Sequence, residues 1–150
     1  MSLVDAINDP NNKAALVADC CKLIDDEVAD KGGFSGAAVK MGYHAVKSIK
    51  PGFIAEVVER LLPEFAGNVD AIWEEGKAQG DARSFFVSAR SRVADALLAV
   101  TDAKSKNAKS AVVRSTYDKL RGSAKKHVED AVPRLAGLVE RYAGVTPSVV

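Results

Sequence analysis

Four side chains that could bind an anion lie within one short segment of this chain. Lys40, Tyr43, His44 and Lys47 follow an i, i+3, i+4, i+7 spacing, which places them on one face of an α-helix. Two ammonium groups, an imidazole and a phenol can together hold a small anionic or amphipathic ligand, or an acidic partner. If they bind a ligand, we expect them at the mouth of a pocket between helices.

The opposite face of the same segment is made of small residues. A glycine inside a helix costs about 1 kcal/mol relative to alanine, so Gly42 predicts a compensating close contact with another helix. We predict a helix with Ser35 as its N-cap that ends before Pro51 and Gly52. Its packed face is predicted to contain Ser35, Ala38, Gly42, Ala45 and Ile49. We favour this packing role over the binding role.

A second candidate surface is the basic stretch 104–126. Its basic residues outnumber its acidic ones and mostly oppose an apolar seam, so they could contact phosphates. The stretch carries no helix-turn-helix or zinc signature, so a solvated helix face is favoured over nucleic-acid binding. The basic residues are Lys104, Lys106, Lys109, Arg114, Lys119, Arg121, Lys125 and Lys126.

Motifs for metal, cofactor or catalytic chemistry are missing from the sequence. His44 and His127 are the only histidines and lie far apart, so we predict no metal site and no cofactor. Cys20 and Cys21 are adjacent, which disfavours a disulfide between them and a zinc site. The acidic residues around them disfavour a reactive thiolate. No nucleophile-elbow, phosphate-loop or dinucleotide-binding signature is present, so an enzyme is disfavoured.

Apolar residues recur at helical spacing along the whole chain. We predict a helix over residues 10–31, with Asp9 as its cap and Pro10 at its first position. A further apolar pattern covers residues 54–73, is interrupted or kinked at Pro63 and is weakened by glycines after it. Asp81 is predicted to cap one helix that continues to Val100.

The longest apolar pattern runs from Val113 to Tyr142 at steps of three and four residues. Its phase survives Gly122 and Pro133. Because Pro133 removes one backbone donor, a kinked helix is favoured, with two coaxial helices as the alternative. The tail after Thr146 is predicted to be irregular.

The composition is typical of one globular domain spanning residues 1–150. Hydrophobic residues make up 47% and charged residues 27%, with a formal net charge of +1. Segments 1–31 and 51–80 are acidic and could pair with the lysines between them. The chain shows no signal peptide and no apolar run that could span a membrane, and two unpaired cysteines fit a reducing compartment, so we expect a cytoplasmic protein.

The segment from Gly33 to Phe53 follows the pattern GxSGxAVKxGYxAVKxIKPGF. In this it resembles small uncharacterised helical bacterial proteins. The resemblance covers about a seventh of the chain. It implies a helical fold and carries no activity with it.

The sequence therefore predicts an all-α single domain of five to seven helices, with a long kinked C-terminal helix. The function expected first is a non-enzymatic cytoplasmic interaction or scaffold role, with a homodimer as the expected assembly. One alternative is a binder of a small anionic or amphipathic ligand between helices. The other is nucleic-acid binding through residues 104–126.

Overall fold

The computed structural model describes residues 3–143, without the side chain of Phe34, and this part of the chain forms seven α-helices. The all-α fold and the long C-terminal helix are confirmed, while the tail predicted after Thr146 lies outside the described residues. None of the described helices combines the length and hydrophobicity needed to cross a membrane. The helices are α1 (Leu3–Asn8), α2 (Pro10–Asp30), α3 (Gly33–Lys47), α4 (Phe53–Ala78), α5 (Ala82–Ser88), α6 (Arg90–Lys106) and α7 (Ala111–Ala143).

Two helix starts predicted from capping residues are confirmed. The Asp9 carboxylate accepts a hydrogen bond from the backbone N–H of Asn11 at 2.9 Å, and Pro10 opens α2. The Asp81 carboxylate accepts from the backbone N–H of Ser84 at 3.0 Å at the start of α5. Both caps satisfy backbone donors that the first turn of a helix leaves unpaired.

One helix predicted in the middle of the chain is wrong. The single helix expected after Asp81 is divided at Ala89, whose φ of −91° and ψ of 21° depart from helical geometry. Helix α4 runs through Gly76 and ends at Ala78, shortly before Gly80. Gly76 allows a close approach of two helices. A β-carbon at Gly76 would lie 2.8 Å from the Cα of Ala82 on α5.

The two longest helices organise the fold. Both α4 and α7 pack against all five shorter helices. Each also contains a proline without ending there, Pro63 in α4 and Pro133 in α7, and both prolines are exposed. The kink expected at Pro133 stays a prediction. The core includes Trp73 and Phe86, whose rings meet edge to face with centroids 5.3 Å apart.

Candidate functional site

Helix α3 begins earlier than predicted. Gly32 is its N-cap and Ser35 lies within its first turn, so Ser35 is not the cap. The reason is a glycine-dependent turn. Gly33 has a φ of +71°, which favours glycine, and a β-carbon at Gly36 would lie 2.7 Å from the carbonyl carbon of Lys31. The glycines therefore allow α3 to start directly beside the end of α2.

The close contact predicted at Gly42 is confirmed, and its partner is α7. A β-carbon at Gly42 would lie 2.8 Å from Cγ2 of Thr116 and 2.9 Å from Cδ1 of Leu120. The rest of the predicted packed face is wrong at Ser35, Ala38 and Ala45, which are exposed, whereas Ile49 is half-buried. Helix α3 is rotated so that its valines are partly buried beside Gly42, since a valine buries more apolar surface than an alanine.

Between α2, α3 and α7 lies a partly open cavity of about 340 Å³. Gly42 contributes to its wall, so the close helix crossing borders the cavity directly. The rest of the lining is largely apolar and comes from all three helices. The apolar lining residues are Val28 on α2, Val39 and Val46 on α3, and Val113, Leu120, Ala124 and Val128 on α7.

The wall of this cavity also contains an imidazole, that of His127 on α7. Both of its ring nitrogens are shielded from solvent, and neither has a hydrogen-bond partner in the described part of the chain. Burial and the cations of Lys31 and Lys126 lower the pKa of His127, while Asp130 opposes them. A neutral ring has one donor and one acceptor nitrogen, so two hydrogen-bonding positions are left unused.

A polar cleft of about 350 Å³ lies on the other side of His127, which lines both spaces. Most of its charged groups are paired across α2 and α7. Lys31 Nζ donates to the backbone oxygen of His127 at 3.1 Å and to Glu27 at 3.3 Å. Arg134 donates to Glu27 at 3.1 Å and also to Asp30. The cleft therefore consists mainly of ion pairs beside an imidazole whose ring nitrogens are unpaired.

At the α3 wall of the cavity, Tyr43 is tied to α2. Its hydroxyl donates to Asp25 Oδ1 at 2.5 Å, and Lys47 Nζ lies 3.5 Å from the same oxygen. The Lys47 ammonium also lies 5.1 Å from the centre of the Tyr43 ring. Burial and Asp25 together raise the pKa of Tyr43, so this phenol stays protonated.

The four residues predicted as a site therefore separate into two pairs. Tyr43 lines the cavity and shares Asp25 with Lys47, whereas Lys40 and His44 are exposed and line neither the cavity nor the polar cleft. Acidic segments on both sides supply partners to two of the three lysines, Lys47 and Lys50, as the charge distribution suggested. Lys47 pairs with Asp25 in the first segment, and Lys50 lies 2.8 Å from Glu56 in the second.

A second polar group lines the cavity on its α7 side. Arg121 donates to Asp102 from Nε at 2.8 Å and from Nη2 at 3.1 Å, and the Tyr117 hydroxyl donates to the same carboxylate. Thr101 shares a further hydrogen bond of 2.7 Å with Tyr117. These groups satisfy one another, whereas His127 is a lining residue whose shielded polar atoms lack partners within the described chain.

The basic stretch 104–126 is partly neutralised by acidic residues of the same chain. Lys104 Nζ lies 3.1 Å from Glu64, and Lys125 Nζ lies 3.1 Å from Asp95. Arg121 is bound by Asp102, as above. These three pairs join α6 or α7 to neighbouring elements and agree with a solvated, internally paired helix face.

A sequence profile described as a family of unknown function (DUF6918) matches residues 3–143. The chain belongs to this family. No curated protein and no solved structure matches it. The family match agrees with the expectation of a protein that resembles others without an assigned activity.

For this family member, sequence reasoning selected a binding residue on the α3 wall of the cavity but did not give His127 on the α7 wall a binding role. Tyr43 was selected, but His127 was considered only as a metal ligand. A signal for it existed, because His127 follows Leu120 by one heptad and so lies on the apolar seam of α7. No group of three or more residues that could hold a metal ion occurs among the described residues.

Proposed function

We propose that this protein binds a small apolar or amphipathic molecule in the cavity between α2, α3 and α7. The observation that carries the proposal is the cavity of about 340 Å³ with mostly apolar walls. Ligand pockets usually measure about 300–1,000 Å³ and combine apolar walls with a few polar groups. An apolar cavity of about 150 Å³ already holds benzene, so this space accepts a molecule of about two fused rings.

The walls provide a physical reason for binding. Valine side chains line the space from all three helices, and each apolar contact removes ligand and protein surface from water at about 25 cal/mol per Å². Helix α3 is held in place on both sides, by Gly42 against α7 and by Tyr43 against α2. A largely preformed pocket loses little free energy to ordering when a ligand enters.

The test is a titration with 1-methylnaphthalene, followed by NMR of the valine methyl groups. Saturable shifts are expected at the cavity residues Val39, Val46 and Val128. No shift is expected at Val69 or Val93, which are buried in the core away from this space. Absence of saturable binding, or equal shifts at the core valines, would contradict the proposal.

A matched pair of variants locates the binding. Ala124 lines the cavity on α7, and Ala45 is exposed on α3. Ala124→Leu adds three carbon atoms to the cavity wall and is expected to abolish the methyl shifts. Ala45→Leu adds the same atoms to the surface and is expected to leave them unchanged. Binding that survives Ala124→Leu unchanged would place the molecule elsewhere.

A second candidate is association with another copy or another helical protein. It is supported by Met41, which is 75% exposed on α3, and by Val112, which is 46% exposed at the start of α7. A larger exposed apolar surface is typical of interaction sites. Light scattering across a concentration series tests it. Self-association is expected to weaken in Met41→Lys, and a monomer at every concentration would contradict a homodimer.

We also propose a cytoplasmic location. It is supported by Cys20 and Cys21, which are both free thiols. Fractionation of cells that express the protein tests this, with recovery in an oxidising compartment as the contrary result.

A further inference from the structure

We infer that the cavity between α2, α3 and α7 binds one unbranched alkyl chain and leaves the polar head group of that molecule in solvent. The inference rests on the proposed function and deepens it, because it names the chemical class of the ligand as a single-chain amphiphile. It starts from the shape of the cavity and from the kind of surface that its walls expose.

The cavity is long and narrow. Its α7 lining begins at Val113 and ends at Val128, and the lining residues between them stay on one side of the helix. At a rise of about 1.5 Å per residue, these two ends lie about 22 Å apart. A volume of about 340 Å³ spread over that length has a mean section of about 15 Å². This shape suits one extended chain better than a broad ring system.

Helix α3 covers the same face of α7 lengthwise. Lys31, just before α3, donates to the backbone oxygen of His127, whereas Gly42 further along lies against Leu120. The two helices therefore run in opposite directions along the cavity. A chain that lies along α7 is covered by α3 over part of its length, and the open side of the cavity gives its head group access to solvent.

The walls formed by the described residues expose only apolar atoms to the cavity. The hydroxyls of Tyr43 and Tyr117 donate to aspartates on other helices, and the ring nitrogens of His127 are shielded. A head group inside the cavity would lose its hydrogen bonds to water and gain none in return. The cavity therefore selects the chain by its length and does not select the head group.

The first test is a series of alkyl chains of eight, twelve and sixteen carbons, each carried by a carboxylate and by a trimethylammonium group. Equilibrium dialysis at micromolar concentrations, below the critical micelle concentrations, measures each affinity. Affinity is expected to rise about two- to fourfold per carbon, because complete burial of a methylene group is worth about fourfold. At equal chain length the two head groups are expected to differ by less than about fivefold, since an exposed charge interacts weakly.

A matched pair of variants places the chain along α7. Val113 lines one end of the cavity and is half-buried, whereas its neighbour Val112 is 46% exposed and is not part of the lining. Val113→Phe shortens the space and is expected to weaken the sixteen-carbon probes about tenfold, the loss of roughly two methylene contacts, with little effect on the eight-carbon probes. Val112→Phe adds the same ring outside the cavity and is expected to change neither.

A second measurement works on the wild-type protein, so the test survives if Val113→Phe does not fold. Saturation with the sixteen-carbon probe is expected to shift the methyl resonances of Val113 and Val128 together, because one chain reaches both ends of the cavity. The core residues Val69 and Val93 are expected to stay unshifted. Shifts confined to one end would contradict a chain that lies along α7.

Cosedimentation with phosphatidylcholine vesicles distinguishes a free amphiphile from a membrane lipid as the source of the chain. The narrow section of the cavity holds one chain, whereas each phospholipid carries two. The protein is therefore expected to stay in the supernatant. Vesicle binding that Ala124→Leu abolishes and Ala45→Leu preserves would overturn the assignment to a single-chain molecule.

The outcomes separate this inference from the proposed function. If 1-methylnaphthalene binds but alkyl affinity does not rise with chain length, the cavity binds apolar molecules and the alkyl chain is wrong. If neither 1-methylnaphthalene nor any alkyl probe binds, the proposed function is wrong, and this inference with it. A strong preference for one head group at every chain length would also overturn the inference, because a polar group of the protein would then recognise it.

Discussion

Gly42 on α3 lies so close to Leu120 on α7 that a β-carbon on the glycine would be 2.9 Å from Leu120 Cδ1. This contact lets the valines of α3 approach α7 and close one wall of the cavity. Replacement of this glycine therefore tests the packing of α3 directly.

Gly42→Ala is expected to lose the stabilisation that alanine normally brings to a helix. Alanine favours a helix over glycine by about 1 kcal/mol, but here its methyl group would press on Thr116 and Leu120 at a cost of about 1 kcal/mol or more. The control is Gly122→Ala on α7, where nothing beyond the adjacent backbone of the same helix lies within 4 Å of the added carbon. Denaturant unfolding should place the two variants at least about 1 kcal/mol apart, and equal stabilisation would contradict the close contact.

Asp102→Asn is expected to destabilise the junction of α6 and α7. The carboxylate accepts two hydrogen bonds from Arg121 and one from Tyr117. Because the side chains of Arg121 and Asp102 are 41% and 37% exposed, solvent screening limits the expected loss to about 1 kcal/mol. Asp118→Asn, an exposed change on α7, is the control and is expected to have no effect.

The stability difference between the wild type and Asp102→Asn is expected to depend on pH. Hydrogen bonds from Arg121, and then from Tyr117, lower the pKa of Asp102 in the folded protein. A lowered carboxyl pKa stabilises the fold above the unfolded pKa of about 3.9 and loses this contribution as the pH falls through the folded pKa. The stability difference between wild type and Asp102→Asn should therefore shrink below about pH 4. A constant difference down to pH 2 would mean that the charge of Asp102 is unimportant.

The parts of the fold that sequence predicted well are those fixed by local chemistry. Asp9 and Asp81 cap helices through their own first turns, so their residue types are enough to identify them. The break at Ala89 carries no such signal, because alanine is the best helix former and the apolar spacing continues across it. The rotation of α3 depended on which neighbour its valines could reach, and that is decided by tertiary packing.

In the candidate site, too, the features fixed by local sequence could be predicted and those that depend on tertiary packing could not. Tyr43 and Lys47 could be selected because their spacing is local, and the acidic segment that contains Asp25 was a visible partner. The cavity could not be predicted, since it depends on how three helices meet. His127 became informative only when the structure showed that its nitrogens are shielded and unpaired.

The two cysteines are expected to react slowly with thiol reagents. Burial raises the pKa of Cys20 to about 11, helped by Cys21 and Asp19, and burial with Asp25 raises that of Cys21. At pH 8 the thiolate fraction of Cys20 is therefore expected to be about two-hundredfold below that of an ordinary cysteine with a pKa of about 8.5. Ellman's reagent on single Cys→Ser variants measures each thiol, and unfolding should release both. A folded Cys20 that reacts as fast as free cysteine would contradict its burial.

All three tyrosines donate a hydrogen bond to an aspartate on a different helix. This arrangement ties α3 to α2, α7 to α6 and α7 to α2, and it requires each phenol to stay protonated. Burial and the acceptor carboxylates raise the pKa of Tyr117 and of Tyr142 to about 12, and raise that of Tyr43 as well. The pairs are Tyr43 with Asp25, Tyr117 with Asp102, and Tyr142 with Asp19.

Alkaline pH is therefore expected to destabilise the protein, because it ionises these phenols and removes the hydrogen bonds that they donate. A raised tyrosine pKa stabilises the fold fully below the unfolded pKa of about 10, and this contribution is lost as the pH rises towards the folded value. Stability should fall from about pH 10 upward, and tyrosinate absorbance at 295 nm should rise together with the loss of helical circular dichroism. The Tyr→Phe variants cannot ionise at the changed position, so each should lose less stability over this range than the wild type. Ionisation of all three phenols near pH 10 with the helices intact would show that the aspartate pairs do not hold in solution.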